Sequence, residues 1–224
     1  MTCYSVCRVS QWVRSMVQTK SVPERSTQST QTSRKFRRRD EILRAATDLF
    51  SEKGYHEVTM EEIAEEMGVS KGTLYNYFSS KENLYLEILK ESFDAIEALL
   101  HEEVENSDPA PLKLRKLLTT IFTFYRQNLK VLRILSRDET HLLKEHFELT
   151  EKWRTRRVRL YEKIIEKGID EGSFVRQNPR LRALMLYGAV GAVMVHHDFS
   201  MDAGEVADAV FSQLASGLLI NKDS

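Results

Sequence analysis

Histidines and cysteines are the first residues to test for chemistry, and the chain has six and two of them in 224 residues. Cys3 and Cys7 stand in an N-terminal stretch rich in Ser, Thr and Gln. No second cysteine pair completes a zinc set, and no cysteine nucleophile falls in the part that patterns as folded. Asp138-x-x-His141 looks like half of a dinuclear carboxylate site, but such sites need paired Glu-x-x-His motifs and no second copy exists. His196-His197-Asp198 reads as a polar helix end, because adjacent helical side chains diverge by about 100°. Neither a nucleophile elbow nor a P-loop is present. The expectation is no enzyme, no cofactor and no metal. A different constellation remains: Ser70, Lys71, Gly72 and Thr73, followed by Tyr75, Tyr77 and Lys81. Small, basic and phenolic groups at the start of a short helix suit base edges and phosphates, and Gly72 lets backbone approach a partner closely.

Local punctuation predicts how those residues are held. Thr59 with Glu62 forms a capping box and starts a helix. Ile63, Ala64 and Met67 share its apolar face, and Gly68 can take the left-handed conformation that ends it. After Val69, Ser70 caps a second helix, Lys71 to Phe78, with Leu74 and Phe78 on its buried side. Ser79 with Glu82 is a further box and opens the next helix. Two short helices joined by a tight glycine turn describe a helix-turn-helix, whose second helix can enter the major groove of DNA. The helix before it runs from about Arg37 to Lys53, with Ile42, Ala45, Ala46, Leu49 and Phe50 on one face.

The run from Arg38 to Leu89 resembles the DNA-binding domain of the tetracycline-repressor (TetR) family of bacterial transcriptional regulators. Phe50, Gly54-Tyr55, Thr59, Gly68-Val69-Ser70, Leu74-Tyr75-Asn76-Tyr77-Phe78 and Lys81-Glu82-Asn83-Leu84 carry the resemblance. It implies phosphate contacts at Thr59, Tyr75, Tyr77 and Lys81, and base-facing roles for Lys71, Gly72 and Thr73, with Ser70 beside them.

Charge must be read locally. Lys plus Arg and Asp plus Glu both number 33, so the net charge is formally zero. From Arg34 to Asn83 nine basic side chains face ten acidic ones. The bases gather in the arm Arg34-Lys35-Phe36-Arg37-Arg38-Arg39, directly before a helix. Positive charge there opposes the helix dipole, so Arg37, Arg38 and Arg39 call for an external anion such as DNA phosphate. Residues 1–33 read as a disordered tail, and Met16 is an alternative start. No apolar run approaches the roughly 20 residues of a membrane span, and no secretory segment appears, so the location expected is cytoplasmic.

The rest patterns as helix throughout. A fourth helix runs from Lys81 to about Glu105. Asp108 as N-cap and Pro109 at the first position open a fifth. Leu129 to Leu135 forms a sixth, and Glu139 to Lys167 one or two more, closed by Gly168 and Gly172. Asn178-Pro179 opens an eighth to His197, and Asp202 with Glu205 caps a ninth to about Ile220. Phe122, Tyr125, Phe147, Trp153, Tyr161, Met185, Tyr187 and Met194 are candidate ligand-pocket residues, since aromatics and Met suit a loosely shaped cavity. Arg126, facing an acidic or acyl ligand or pairing with Glu145 or Glu148, and His196 are its polar candidates. Gly188, Gly191 and Val195 on the eighth helix, with Val206, Val210, Leu214 and Leu218 after it, are candidate dimer contacts. The family resemblance implies such a dimer as well.

The fold expected is all-α, about nine helices: residues 34–80 a helix-turn-helix domain, and 81–224 a ligand-binding and dimerisation domain. The expected partners are a palindromic double-stranded DNA operator, a second copy of the chain and a small, mostly apolar effector that releases a repressor. An activator, or a regulator controlled by a protein partner, is the alternative.

Overall fold

A computed structural model describes residues 30–136, 146–196, 201–215 and 217–218. Cys3, Cys7, Met16, Asp138, His141, Glu145, His197, Asp198 and Ile220 lie outside them. The described residues form nine helices: α1 Thr30–Lys53, α2 Met60–Glu66, α3 Lys71–Tyr75, α4 Lys81–Glu105, α5 Ala110–Gln127, α6 Leu129–Ser136, α7 Phe147–Asp170, α8 Pro179–His196 and α9 Ala203–Ala215. No strand occurs among the described residues, and none of these helices is long and apolar enough to cross a membrane. The architecture is all-α.

The chain divides into two compact units, one comprising residues up to Ala95 with Asn128–Glu139, the other Ile96–Gln127 with Thr140–Ser224. The division falls inside α4.

In the first unit, α1 packs on α2 and α6, and α2 on α3. Ile42, Leu43, Ala46 and Phe50 bring the apolar face of α1 to Ile63, Leu74 and Phe78, all at most 1% exposed. Phe50 and Tyr85 meet edge to face at 5.4 Å, a geometry aromatic quadrupoles favour. Lys130 reaches Asp48 at 2.7 Å and ties α6 to α1. Ala45 and Met67, expected in this core, are only half-buried. α1 begins at Thr30 rather than near Arg37; neither Pro nor Gly interrupts the stretch, so nothing stops the helix.

In the second unit α5 packs against α7, α8 and α9, and α7 against α8. Leu114, Leu117, Leu118, Ile121 and Phe122 of α5 are fully buried. Lys113, 2% exposed, donates to the carbonyls of Val104 and Asn106. It thereby satisfies the Val104 carbonyl in the last turn of α4 and the Asn106 carbonyl just past its end.

Several expected caps sit one residue away. Ser80, not Ser79, opens α4: its Oγ accepts from Asn83 N–H at 3.0 Å. Pro109 precedes α5 and Ala110 is its first residue. The Ala110 N–H donates to Glu171 at 2.9 Å, and Asp108 is engaged by Lys116 at 2.6 Å. Gly168 does not end α7. It lies inside the helix, where a Cβ would collide with the Phe174 ring. Gly172, at φ +71°, makes the end.

Candidate nucleic-acid interface

The α2–α3 corner is built by local hydrogen bonds. Thr59 Oγ1 accepts from Glu62 N–H at 3.1 Å, and the Glu62 carboxylate accepts from Thr59 N–H in return. That is both halves of a capping box. At the other end of α2, Val69 N–H reaches Ala64 O and Gly68 N–H reaches Glu65 O, each at 2.9 Å, with Gly68 at φ +61°. This 6→1 and 5→2 pair is a Schellman motif, which needs a left-handed residue at its pivot. Ser70 follows at once as N-cap of α3, its Oγ accepting from Thr73 N–H at 3.2 Å and lying 2.8 Å from Thr73 Oγ1. The angle between α2 and α3 is therefore set within a handful of residues. α3 ends at Tyr75, shorter than the expected reach to Phe78. Asn76 and Tyr77 form a turn because Tyr77 N–H bonds Leu74 O, a tighter 3₁₀-type closure.

Leu74 is wholly buried and anchors α3. Ser70, Lys71, Gly72, Tyr75 and Asn76 are exposed, while Thr73 and Tyr77 are half-buried. A Cβ at Gly72 would meet only Ser70 Oγ, at 4.0 Å, so the fold does not require glycine there. Lys71 pairs with Glu61 and lies 5.7 Å from the Tyr75 ring centre. Hydrogen bonding to Lys71 holds the Glu61 carboxyl below its usual range, and the same contact raises Lys71. Glu62 is likewise lowered by Lys53.

The other basic candidates divide sharply. Arg37 is exposed, as are Arg34 and Lys35 beside it, and no carboxylate among the described residues pairs with these three. Arg38 bonds Glu41 at 2.7 Å on the surface. Arg39 turns inward to Glu87 at 2.6 Å and to Glu91, and lies over the Phe78 ring at 5.4 Å. Lys81 donates to Tyr55 O at 2.7 Å and Val58 O at 2.8 Å, with its ammonium 4.4 Å from the Tyr55 ring centre. It holds the loop between α1 and α2 and so positions Thr59. Sequence spacing carried no sign of either arrangement.

This sequence matches the family model described as "Bacterial regulatory proteins, tetR family" over residues 42–88, and "Tetracyclin repressor-like, C-terminal domain" over 107–218. The chain belongs to the TetR family. As such it is a DNA-binding transcriptional regulator, and its relatives are regulators rather than enzymes. The transcriptional repressor KstR2 of Rhodococcus jostii is 31% identical over 144 residues, covering 64% of this chain and 71% of that one. The transcriptional activator FasR of Mycolicibacterium smegmatis is 34% identical over 98 residues, covering 44% and 45%. Among solved structures, FadR of Bacillus subtilis in complex with stearoyl-CoA superposes with a TM-score of 0.69 at 22% identity, over 79% of this chain and 97% of that one. That likeness is one of TetR fold.

The remaining candidates lie in the second unit. Phe122, Tyr125, Trp153 and Tyr161 are buried together with α5 and α7. Tyr187 and Met194 are half-buried, and His196 is exposed. Phe147 and Met185 stand on the surface at 63% and 56% exposure. Arg126 reaches out to Asp202 at 2.6 Å. Along α8, Gly188 and Val195 are exposed and Gly191 half-buried, whereas Val206 and Leu218 are buried within the chain and Val210 and Leu214 half-buried.

Proposed function

We propose that this TetR-family regulator acts as a homodimeric repressor on a two-fold operator and is released by a small, mostly apolar effector. The domains assigned are 34–80 for DNA and 81–224 for ligand and dimer. One observation carries the DNA half: an edge of α3 is exposed, with Gly72 unneeded by the fold and Tyr75 41% exposed. Lys71, Thr73 and Gly72 face bases in this reading, and Tyr75, Tyr77 and Thr59 face phosphates. Arg37 and Arg38 meet the adjoining backbone, while Arg39 and Lys81 hold the scaffold. Bound to the chromosome, the protein works in the cytoplasm.

The dimer reading is supported by α8. Leu181, Met185 and Val195 are 58%, 56% and 44% exposed. With Gly188 and Ala192 they form one solvent-facing helical stripe. A Cβ at Gly188 or Gly191 would meet nothing within 4 Å, so this face has room for a closely approaching helix. An activator remains the second reading, favoured by the FasR match. For the effector, the stearoyl-CoA complex of FadR suggests an acyl compound. Gel-shift titration of operator DNA with and without palmitoyl-CoA and fatty acids tests the whole. No retardation of any promoter fragment by the purified dimer sinks the proposal.

A further inference from the structure

Arg157 is placed unlike the other arginines of α7. Arg154 bonds Glu151 at 2.9 Å, Arg156 bonds Glu97 at 2.7 Å, and Arg159 is exposed. Arg157 is only 9% exposed, and no carboxylate among the described residues pairs with it. Its neighbours are phenols. The field of its guanidinium reaches two of them, Tyr125 of α5, 1% exposed, and Tyr161, one turn along α7 and equally buried, and acts to lower both hydroxyls. Tyr187 of α8 interacts electrostatically with both phenols.

A guanidinium keeps its charge even when it is buried. Burial pushes the Tyr125 and Tyr161 hydroxyls up. Both phenols are therefore neutral and supply no counter-charge. The site thus holds a fixed positive charge, a forked set of donors and three hydroxyls. Removing a charge from water without compensation is strongly unfavourable, so an arrangement of this kind is complete only with an anion in it. A carboxylate matches it: one negative charge, planar, able to take two parallel N–H donors. A nucleotide-bearing thioester brings several charges, and the neighbouring Arg154 and Arg156 are already paired.

We propose that Arg157, flanked by Tyr125, Tyr161 and Tyr187, binds the carboxylate of a monocarboxylic acid whose apolar body lies among the aromatic side chains of this unit. This rests on the effector-controlled reading above and replaces Arg126 as its anion partner.

Thermal unfolding of full-length parent, R157M, R157K and R126M tests it, with palmitate, phenylacetate, cholate, their methyl esters and palmitoyl-CoA as probes. Without probe, R157M melts higher than the parent by about 3 °C or more, because an uncompensated charge has gone. A lower Tm shows Arg157 to be a structural cation and overturns the proposal. At least one acid binds the parent and R126M alike, tenfold or more weaker to R157M, with R157K between them; its methyl ester does not bind. No binding by any acid, equal binding by R157M, or equal binding of the ester overturns it, as does palmitoyl-CoA bound in preference to every acid. An acid held through Arg157 whose affinity is unchanged by saturating operator leaves the seat standing and removes the switch instead.

Discussion

Lys81 donates to the carbonyls of Tyr55 and Val58 at 2.7 and 2.8 Å, whereas Lys71 reaches the exposed carboxylate of Glu61. The two lysines should therefore respond differently to removal. Lys81→Met strips a charged donor from two loop carbonyls and is expected to cost about 1–3 kcal/mol of stability in urea unfolding. Lys71→Ala changes stability by about 0.5 kcal/mol or less, as surface substitutions do. It reduces the salt slope of operator binding by about one if it meets a phosphate, and relaxes base preference instead if it meets a base edge. Unchanged operator affinity in both salt and sequence series would remove Lys71 from the interface. Tyr75→Ala, at a side chain 41% exposed, should weaken operator binding while leaving the unfolding curve in place.

Two kinds of glycine occur in the helices of the second unit, and they separate packing from assembly. Gly168 of α7 lies against the Phe174 ring, with no room for a methyl group. Gly168→Ala should destabilise by about 1–3 kcal/mol, the usual range for overpacking. Gly188 and Gly191 of α8 have open space where a Cβ would go. Alanine there should strengthen the helix by roughly 0.5–1 kcal/mol per site, yet it thickens the face assigned to the dimer. Chemical denaturation of the isolated chain at low concentration reads the first effect, and sedimentation reads the second. If Gly188→Ala neither stabilises the monomer nor weakens the dimer, the stripe has no such role.

At the scale of the whole molecule, one recognition helix reads only a few base pairs, so specificity depends on two held about 34 Å apart. Gly191→Arg places a charge on the α8 face. It should give monomers by light scattering and abolish retardation of the operator with no loss of helical content. A parent protein monomeric at micromolar concentration would contradict the assembly. Effector release is bounded by the ligand's differential affinity for the two states. A typical coupling of about 1–3 kcal/mol weakens operator binding roughly 5–150-fold, and by reciprocity the operator weakens effector binding by the same factor. Calorimetric titration of the effector with and without operator measures both sides of that cycle.

The helix-turn-helix scaffold was legible in the sequence because its determinants are local. Thr59 with Glu62, Gly68 and Ser70 act on backbone groups within a few residues, and each makes the predicted bond or conformation. Apolar periodicity likewise marked Ile42, Phe50, Leu74 and Phe78 as core. Where two adjacent residues could serve equally, local rules slipped by one: Ser80 caps α4 in place of Ser79, and Pro109 precedes α5. At the start of α5 the Asp108 carboxylate is taken by Lys116, eight residues on. Which charges are available to a partner was decided by tertiary structure alone. Arg37 and Arg39 are two residues apart in one basic run, but only Arg39 finds Glu87 and Glu91, on a helix far along the chain. Arg126 and Arg157 are alike as residue types, yet one lies on the surface against Asp202 and the other is closed in among phenols. Spacing along a helix says which face a side chain occupies. Only the packing of helices distant in sequence says what that face meets, because charge and burial are properties of a place rather than of a residue.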